Sequence, residues 1–293
     1  MMENRSDGKN ERRRSGIFAV LQLLNTPTLH SLFMMWTSPR MMVVFAVTMV
    51  VQMLARLSFL PVQMIPRHLD FQPGIILVPL SAVFFGPAGV WGSLAASLLG
   101  DKLFGQWNAL SWYRAASFFF FALGTMRLWD VAFRRDAPPP ELSRTWVMAL
   151  RFTFVAWPGC FLAAAWRAIG SELSRAYPFA YIVSLLVLNN LLFCTLFGSV
   201  FYELMAGSWV ARFGDWRAAM GVAEAGGRTS VFNGLLIAAA SLGACVAGLY
   251  VSSAVYHIGP LQPFMLGAST GRGVPWVVLP LLLVQAWAVL RRD

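Results

Sequence analysis

The sequence predicts an all-α, polytopic integral membrane protein. Of its 293 residues, 58% are hydrophobic and 12% are charged, whereas soluble domains usually contain about 25% charged residues. The apolar residues form repeated stretches that approach or exceed the roughly 20 residues a helix needs to cross a bilayer. No series of short alternating segments indicates a transmembrane barrel. We therefore predict a helix bundle with about eight membrane segments and both termini in the cytosol.

The N-terminal region is predicted to lie outside the bundle. The opening residues, MMENRSDGKNERRRSG, are basic, and no short apolar region with a small-residue cleavage site follows them. We interpret them as a retained cytosolic tail and not as a signal peptide. The next region, 17–37, has Asn25, Pro27 and His30 where a span would have its centre. It is expected to lie on the membrane surface as an amphipathic segment, so that 1–41 forms a basic tail.

Six further stretches are apolar over the thickness of a bilayer, namely 42–60, 108–129, 146–168, 179–205, 230–256 and 275–290. Together with a helical hairpin at 73–104, they divide the remaining chain into three parts. These parts are a six-segment membrane bundle at 42–206, a cytosolic loop at 207–229 and two additional transmembrane helices at 230–293.

The hairpin is predicted from the stretch PGIILVPLSAVFFGPAGVWGSLAASLLGD, residues 73–101, which is too long for one membrane helix and too short for two full ones. Proline removes a backbone donor and glycine loosens a helix, so we predict two short helices that turn at Gly86-Pro87. Short, interrupted segments of this kind are typical of binding sites in transporters. A kink with tight packing is the alternative.

The basic residues favour the same layout, because they collect on the cytosolic side of membrane proteins. With a hairpin at 73–104 and 17–37 on the surface, 15 Lys and Arg residues lie inside and 5 outside. If 73–104 instead crosses the membrane once, 10 Lys and Arg residues lie inside and 10 outside. If 17–37 also spans the membrane, the counts return to 15 inside and 5 outside. Hydropathy favours the hairpin because 17–37 is a poor span. The net charge of +10 is thus an orientation signal, and nucleic-acid binding is not expected.

Small residues recur at every fourth position of the second short helix, at Ala88, Gly92, Ala96 and Gly100. A second edge of this type follows later in the chain, at Ala240, Ala244, Gly248 and Ser252. Small-residue edges let another helix approach closely. They predict either packing inside the bundle or docking to a separate membrane subunit.

The stretch FQPGIILVPLSAVFFGPAGVWGSLAASLLGD (71–101) resembles the substrate-binding S components of energy-coupling factor (ECF) vitamin transporters. In that family an external loop is followed by a helix leading to a Gly-Pro turn and by a small-residue helix that closes on Gly-Asp. The stretch LNNLLFCTLFGSVFYELM (188–205) resembles the sixth helix of some members, so the similarity covers 40–205.

The resemblance implies a six-helix bundle in the cell inner membrane that captures a small vitamin or precursor from outside. A shared transmembrane coupling subunit and two cytosolic ATPases would then drive uptake. Two features depart from the family pattern. The first span, MMVVFAVTMVVQMLA, lacks the Ala-xxx-Ala pair that docks the coupling subunit in many members, and two further spans follow the bundle.

Ionisable side chains within a membrane are costly, which makes each a candidate for function. Arg114 is expected to bind an anionic ligand group in a bidentate manner, with Trp112 and Tyr113 stacking on a flat ligand. Interfacial anchoring is the alternative for these three residues. Asp101 is expected to pair with Arg114 or Lys102, or to contact a cationic ligand group.

Four further positions complete the predicted ligand site and its surroundings. Asn189 and Asn190 lie mid-span and predict either ligand contact or bonds between helices. Arg67 lies in the polar outer loop PVQMIPRHLDFQP (61–73), which predicts a lid over the site or a plain connector. Arg56 lies near the outer end of its span, where it could snorkel.

Enzyme function is not predicted. The sequence has no Gly-x-Ser-x-Gly elbow, no His-Glu-x-x-His, no phosphate-binding P-loop and no carboxylates paired at a useful spacing. The cysteines lie within apolar runs without metal-ligand spacing, so neither a metal nor a cofactor is expected. Two functions remain open: a substrate-capture subunit of an ECF-type transporter, and a structural or accessory subunit of a larger membrane complex with no transport activity of its own.

Overall fold

The computed structural model describes residues 27–65, 69–132, 146–206, 208, 213, 216–220, 231–256 and 273–291. Over these residues the chain is almost entirely helical, as the sequence predicts. The helices are α1 (Pro27–Met34), α2 (Pro39–Phe59), α3 (Leu77–Phe85), α4 (Pro87–Leu103), α5 (Leu110–Ala132), α6 (Trp146–Leu173), α7 (Phe179–Met205), α8 (Trp216–Met220), α9 (Val231–Tyr256) and α10 (Gly273–Leu290). Single 3-10 turns precede α2 and α3, at Met35–Thr37 and Pro73–Ile76.

The loop between α2 and α3 contains a feature that the sequence did not predict. Strands β1 (Gln63–Ile65) and β2 (Leu69–Asp70) pair antiparallel between α2 and the 3-10 turn before α3. A bond from the backbone N–H of Phe71 to the carbonyl O of Val62, 3.0 Å, closes the base of this β-hairpin. The loop therefore returns the chain to the end of α2 at which it left.

Five helices of the described chain are long and apolar enough to cross a membrane: α2, α6, α7, α10 and the part of α9 from Val231 to Ser253. The chain is therefore a multi-pass helical membrane protein. Helix α5 has 23 residues but is not one of the five, and it contains Arg114, Arg127 and Asp130. It is nevertheless largely buried, since α4 and α6 pack against it.

The predicted turn at Gly86-Pro87 is confirmed. Helix α3 ends at Gly86, whose φ of 55° and ψ of −129° are accessible to glycine alone, and α4 begins at Pro87. The two helices then run antiparallel, so closely that a Cβ on Gly89 would lie 2.1 Å from the carbonyl O of Ser81. At the corner itself, a Cβ on Gly86 would lie 2.5 Å from the indole of Trp216 in α8.

The small-residue edge of α4 is covered by α2 of the same chain. A Cβ on Gly92 would lie 2.9 Å from Thr48 Cβ, and one on Gly100 would lie 3.1 Å from Arg56 Nη1. Both helices advance by eight residues between these contacts, so α2 and α4 run parallel. The four small residues of this edge are buried. Of the two alternatives for the edge, packing inside the bundle accounts for its environment, and α2 occupies the place where a separate subunit would dock.

The two C-terminal helices pack onto the bundle and not apart from it. Helices α9 and α10 contact each other and both contact α6. The second small-residue edge mediates this packing, since a Cβ on Gly248 would lie 2.4 Å from the ring of Phe179 and 2.7 Å from Val278 Cγ2. Ser252 Oγ accepts a bond of 3.0 Å from the backbone N–H of Ala180.

Several contacts gather at the end of the bundle that holds the Gly86 corner. Arg40, at the start of α2, bonds the carbonyl O of Phe213 and lies over its ring. Arg127, near the end of α5, donates to the carbonyl O of Arg291 at 2.6 Å. The β-hairpin lies at the opposite end, beyond the last turn of α2.

The predicted surface segment 17–37 is described only from residue 27 onward. There it forms α1 and the following 3-10 turn, and it packs against α4: Trp91 Nε1 donates to the carbonyl O of Leu32 at 2.8 Å. Leu32 and Met35 are buried by this contact. Location at a membrane surface remains a prediction for this segment.

Candidate functional site

A buried cluster of charges joins three helices at the β-hairpin end of the bundle. Asp101, in the last turn of α4, is fully buried. Its Oδ1 lies 2.6 Å from Nη1 of Arg56 on α2 and is also bonded by Nη1 of Arg114 on α5. The predicted pairing of Asp101 with Arg114 is present, and Lys102 instead faces outward. Arg56 does not snorkel outward, as its position in the sequence would have allowed, because its partner lies inside the bundle.

The loop after α4 completes this cluster. Gln106 Oε1 accepts from Arg56 Nη2 at 2.5 Å and from Arg114 Nη1 at 3.3 Å. The loop folds back over the helix end, since the backbone N–H of Gln106 donates to the carbonyl O of Asp101 at 2.8 Å. Gly105 permits this turn with a φ of 69°. Buried charges are tolerated when they are paired and hydrogen-bonded, and this loop supplies part of that bonding.

A cavity lies beside the charge cluster. It is bounded by α2, the start of α3 with its preceding turn, α4 and α5, and its lining residues are Gln52, Arg56, Gln72, Gly74, Ile75, Val78, Ala96 and Phe118. Its empty volume, which includes open solvent at its mouth, is about 360 Å³. Of the described residues that line it, Arg56 alone carries a formal charge, so the cavity combines one cation and two amides with an apolar wall.

Trp112 and Tyr113 do not face the same space as Arg114. Successive residues of an α-helix point about 100° apart, so three adjacent side chains diverge. Arg114 is 2% exposed and points into the bundle, whereas Trp112 is 61% exposed and contacts Trp107 at the surface. Tyr113 packs over Gly170 of α6. Trp112 therefore lies on the surface of the bundle, and Tyr113 packs between helices.

Asn189 and Asn190 lie buried between α7 and α6. Asn189 Nδ2 donates to Asn190 Oδ1 at 3.3 Å, and Asn190 Nδ2 lies 3.5 Å from the carbonyl O of Cys160. Neither residue lines the cavity. This arrangement corresponds to bonding between helices. Arg67 lies outside the described residues.

The residues that sequence reasoning missed are those of α2. Gln52 and Arg56 both line the cavity, and Thr48, Gln52 and Arg56 follow one another at intervals of four, each less than 8% exposed. A polar stripe of this kind in an otherwise apolar span is a signal that the sequence contains. It indicates which face of α2 meets the rest of the bundle.

Among the described residues, no group of three His, Cys, Asp or Glu side chains is placed to hold a metal ion. No known protein family, no curated protein and no solved structure matches the chain. Function is therefore inferred below from the geometry of the site.

Proposed function

We propose that this chain is a membrane subunit that captures a small vitamin-like or precursor molecule, in the manner of the S component of an ECF-type transporter. The observation that carries the proposal is the cavity beside the Arg56–Asp101–Arg114 cluster, at the open end of a pair of short helices. Short, interrupted helices that meet at a cavity are a recurrent way of building a transport site.

The residue types around the cavity support a ligand function. Ile75, Val78, Ala96 and Phe118 supply apolar contact, and Gln52, Gln72 and Arg56 supply polar groups. Small-molecule sites typically combine a mostly apolar wall with a few convergent polar groups.

The proposal includes the membrane layout. Eight segments, namely α2 to α7 with α9 and α10, would alternate across the cell inner membrane with both termini in the cytosol. The contacts of Arg40 and Arg127 lie at the end that holds the Gly86 corner, which is the end that the positive-inside rule assigns to the cytosol. The cavity would then open outward, beneath the β-hairpin.

The partners in this proposal are a transmembrane coupling subunit and cytosolic ATPases. Helix α2 offers a surface for such a subunit, because only 22% of its apolar window is buried within the chain, compared with 50% for α7 and 56% for α6. Its outward residues, including Val43, Val47 and Leu54, are large and apolar. They face lipid wherever the subunit does not cover them.

A second candidate is a structural or accessory subunit of a larger membrane complex. One observation favours it: the Asp101 cluster is bonded internally by Arg56, Arg114 and Gln106. A purely structural tie between α2, α4 and α5 would have the same form. This candidate requires no ligand.

Affinity purification of the full chain from its native membrane in a mild detergent separates the two candidates. We expect ATPases and a coupling protein to accompany the chain, together with uptake activity when the complex is placed in vesicles. Recovery of an unrelated membrane assembly, without ATPases, would contradict the transport proposal and favour the accessory role.

A further inference from the structure

A buried glutamine on α2 reaches between the two short helices. Gln52 is 7% exposed and lines the cavity. Its Nε2 lies 2.8 Å from Ser93 Oγ, 3.1 Å from Ser81 Oγ and 3.5 Å from the carbonyl O of Leu77. The side-chain amide is therefore held by α3 and α4 together.

The two serines fix the direction in which this amide faces. Each hydroxyl donates its single proton to a backbone carbonyl of its own helix, at 3.0 Å for Ser81 and 2.8 Å for Ser93. Both Oγ atoms are then acceptors toward Gln52, and the carbonyl O of Leu77 can only accept. All three neighbours thus require the NH₂ group of Gln52, and the reversed amide would bring its oxygen toward the Leu77 carbonyl.

This orientation leaves Gln52 Oε1 as a buried acceptor, with no hydrogen-bond donor among the described residues. Buried polar groups are as a rule bonded by protein, water or ligand, and a buried acceptor without a donor is unfavourable. Because Gln52 lines the cavity, a small movement of its side chain would expose the oxygen to a donor held in that space.

We infer that Gln52 Oε1 is a specificity-determining acceptor, which selects ligands that carry a hydrogen-bond donor such as a hydroxyl, an amide or a ring N–H. The inference rests on the proposed ligand function of the cavity. The apolar wall formed by Ile75, Val78 and Phe118 limits the rest of the ligand to a small, mostly apolar body. The ligand class is therefore a compact apolar or aromatic molecule with a donor at one edge.

The test compares two aromatic probes, one with a hydrogen-bond donor and one without. Phenol and anisole share a ring, but phenol has an O–H where anisole has a methyl ether. Binding of each probe to the purified full chain in detergent is measured by saturation-transfer NMR titration. Because one net hydrogen bond is at stake, we expect phenol to bind about two- to tenfold more tightly than anisole.

Three variants assign this preference to the glutamine. Gln52→Met keeps the length of the side chain without its amide and is expected to abolish the preference. The double variant Ser81→Ala/Ser93→Ala removes two of the acceptors that hold the amide and is expected to reduce the preference for phenol. It tests the inference independently if Gln52→Met does not fold. Ser97→Ala, on α4 one turn beyond Ser93, is the matched control and is expected to keep it.

Equal affinity for phenol and anisole in the wild-type chain, or no binding of either, would overturn the inference, because a resident water alone would then satisfy Gln52. An undiminished preference in a folded Gln52→Met variant would overturn it as well. These outcomes are independent of which proteins accompany the chain, so failure of the transport proposal would leave the donor preference in place.

Discussion

Asp101 Oδ1 lies 2.6 Å from Arg56 Nη1, and this bond joins the last turn of α4 to α2 at a point where both side chains are at least 93% buried. The same oxygen is bonded by Arg114 of α5. One carboxylate therefore holds three helices together at the end of the bundle where the cavity lies. The charge cluster fixes the positions of the helices that form the cavity wall.

The first prediction concerns the loss of this carboxylate. Asp101→Ala leaves two arginines buried beside each other, so we expect the free energy of unfolding to fall by about 3–5 kcal/mol. Titration with SDS in mixed micelles, followed by loss of helical circular dichroism, measures this change. Asp101→Asn keeps an acceptor oxygen, so its free energy of unfolding is expected to fall by less than that of Asp101→Ala.

Lys102→Ala is the matched control for this change, because the neighbouring lysine is exposed. This substitution is expected to change the free energy of unfolding by no more than about 0.5 kcal/mol. If Asp101→Ala were as stable as Lys102→Ala, the charge cluster would not hold the helices together.

The second prediction concerns the corner between α3 and α4. Gly86→Ala forces a side chain into a backbone conformation suited to glycine and toward the indole of Trp216. We expect a loss of stability of about 1–3 kcal/mol from backbone strain alone, seen as a lower thermal unfolding midpoint. Gly243→Ala in α9 is the control, since a Cβ there meets no heavy atom within 4 Å. It is expected to be neutral or stabilising by up to about 1 kcal/mol. Equal midpoints for the two variants would contradict the described corner.

The third prediction concerns orientation. Thr37, before α2, and Trp107, after α4, are both exposed, and they lie at opposite ends of two parallel helices. In intact cells, a membrane-impermeant maleimide should label Trp107→Cys. Thr37→Cys should react only after permeabilisation. The three native cysteines are buried and give little background. The reverse labelling pattern would invert the proposed orientation in the membrane, so that the cavity would open toward the cytosol.

The hairpin could be predicted because its determinants are local. Gly86 and Pro87 adjoin each other in the sequence, and their backbone preferences act within one turn. The small-residue edge of α4 could likewise be predicted as a packing surface, although its partner could not. The spacing of small residues along one helix does not show which helix packs against it. Contacts between residues distant in sequence decide whether α2 or another chain covers Gly92.

The site could be predicted only in part, for a similar reason. Asp101 and Arg114 are 13 residues apart and flank one loop, so their pairing was a reasonable expectation. Arg56 joins them from 45 positions away in the sequence, and Gln52 gains its role only where α2 crosses Ser81 and Ser93. The divergence of Trp112 from Arg114, by contrast, follows from helix geometry and could have been predicted.

The central claim is that the cavity between α2, α3, α4 and α5 holds a small molecule. Native mass spectrometry of the full chain, purified from its own membrane, tests this claim most directly. Ala96→Leu places three further carbon atoms at the cavity wall. Ala95→Leu makes the same change at the neighbouring, half-buried position. Val78→Phe fills the cavity from α3 if Ala96→Leu does not fold.

We expect the wild-type chain and Ala95→Leu to retain a bound small molecule, and the cavity-filling variants to lose it. Retention that is equal in all of these proteins, or a wild-type chain that carries no small molecule, would contradict the account.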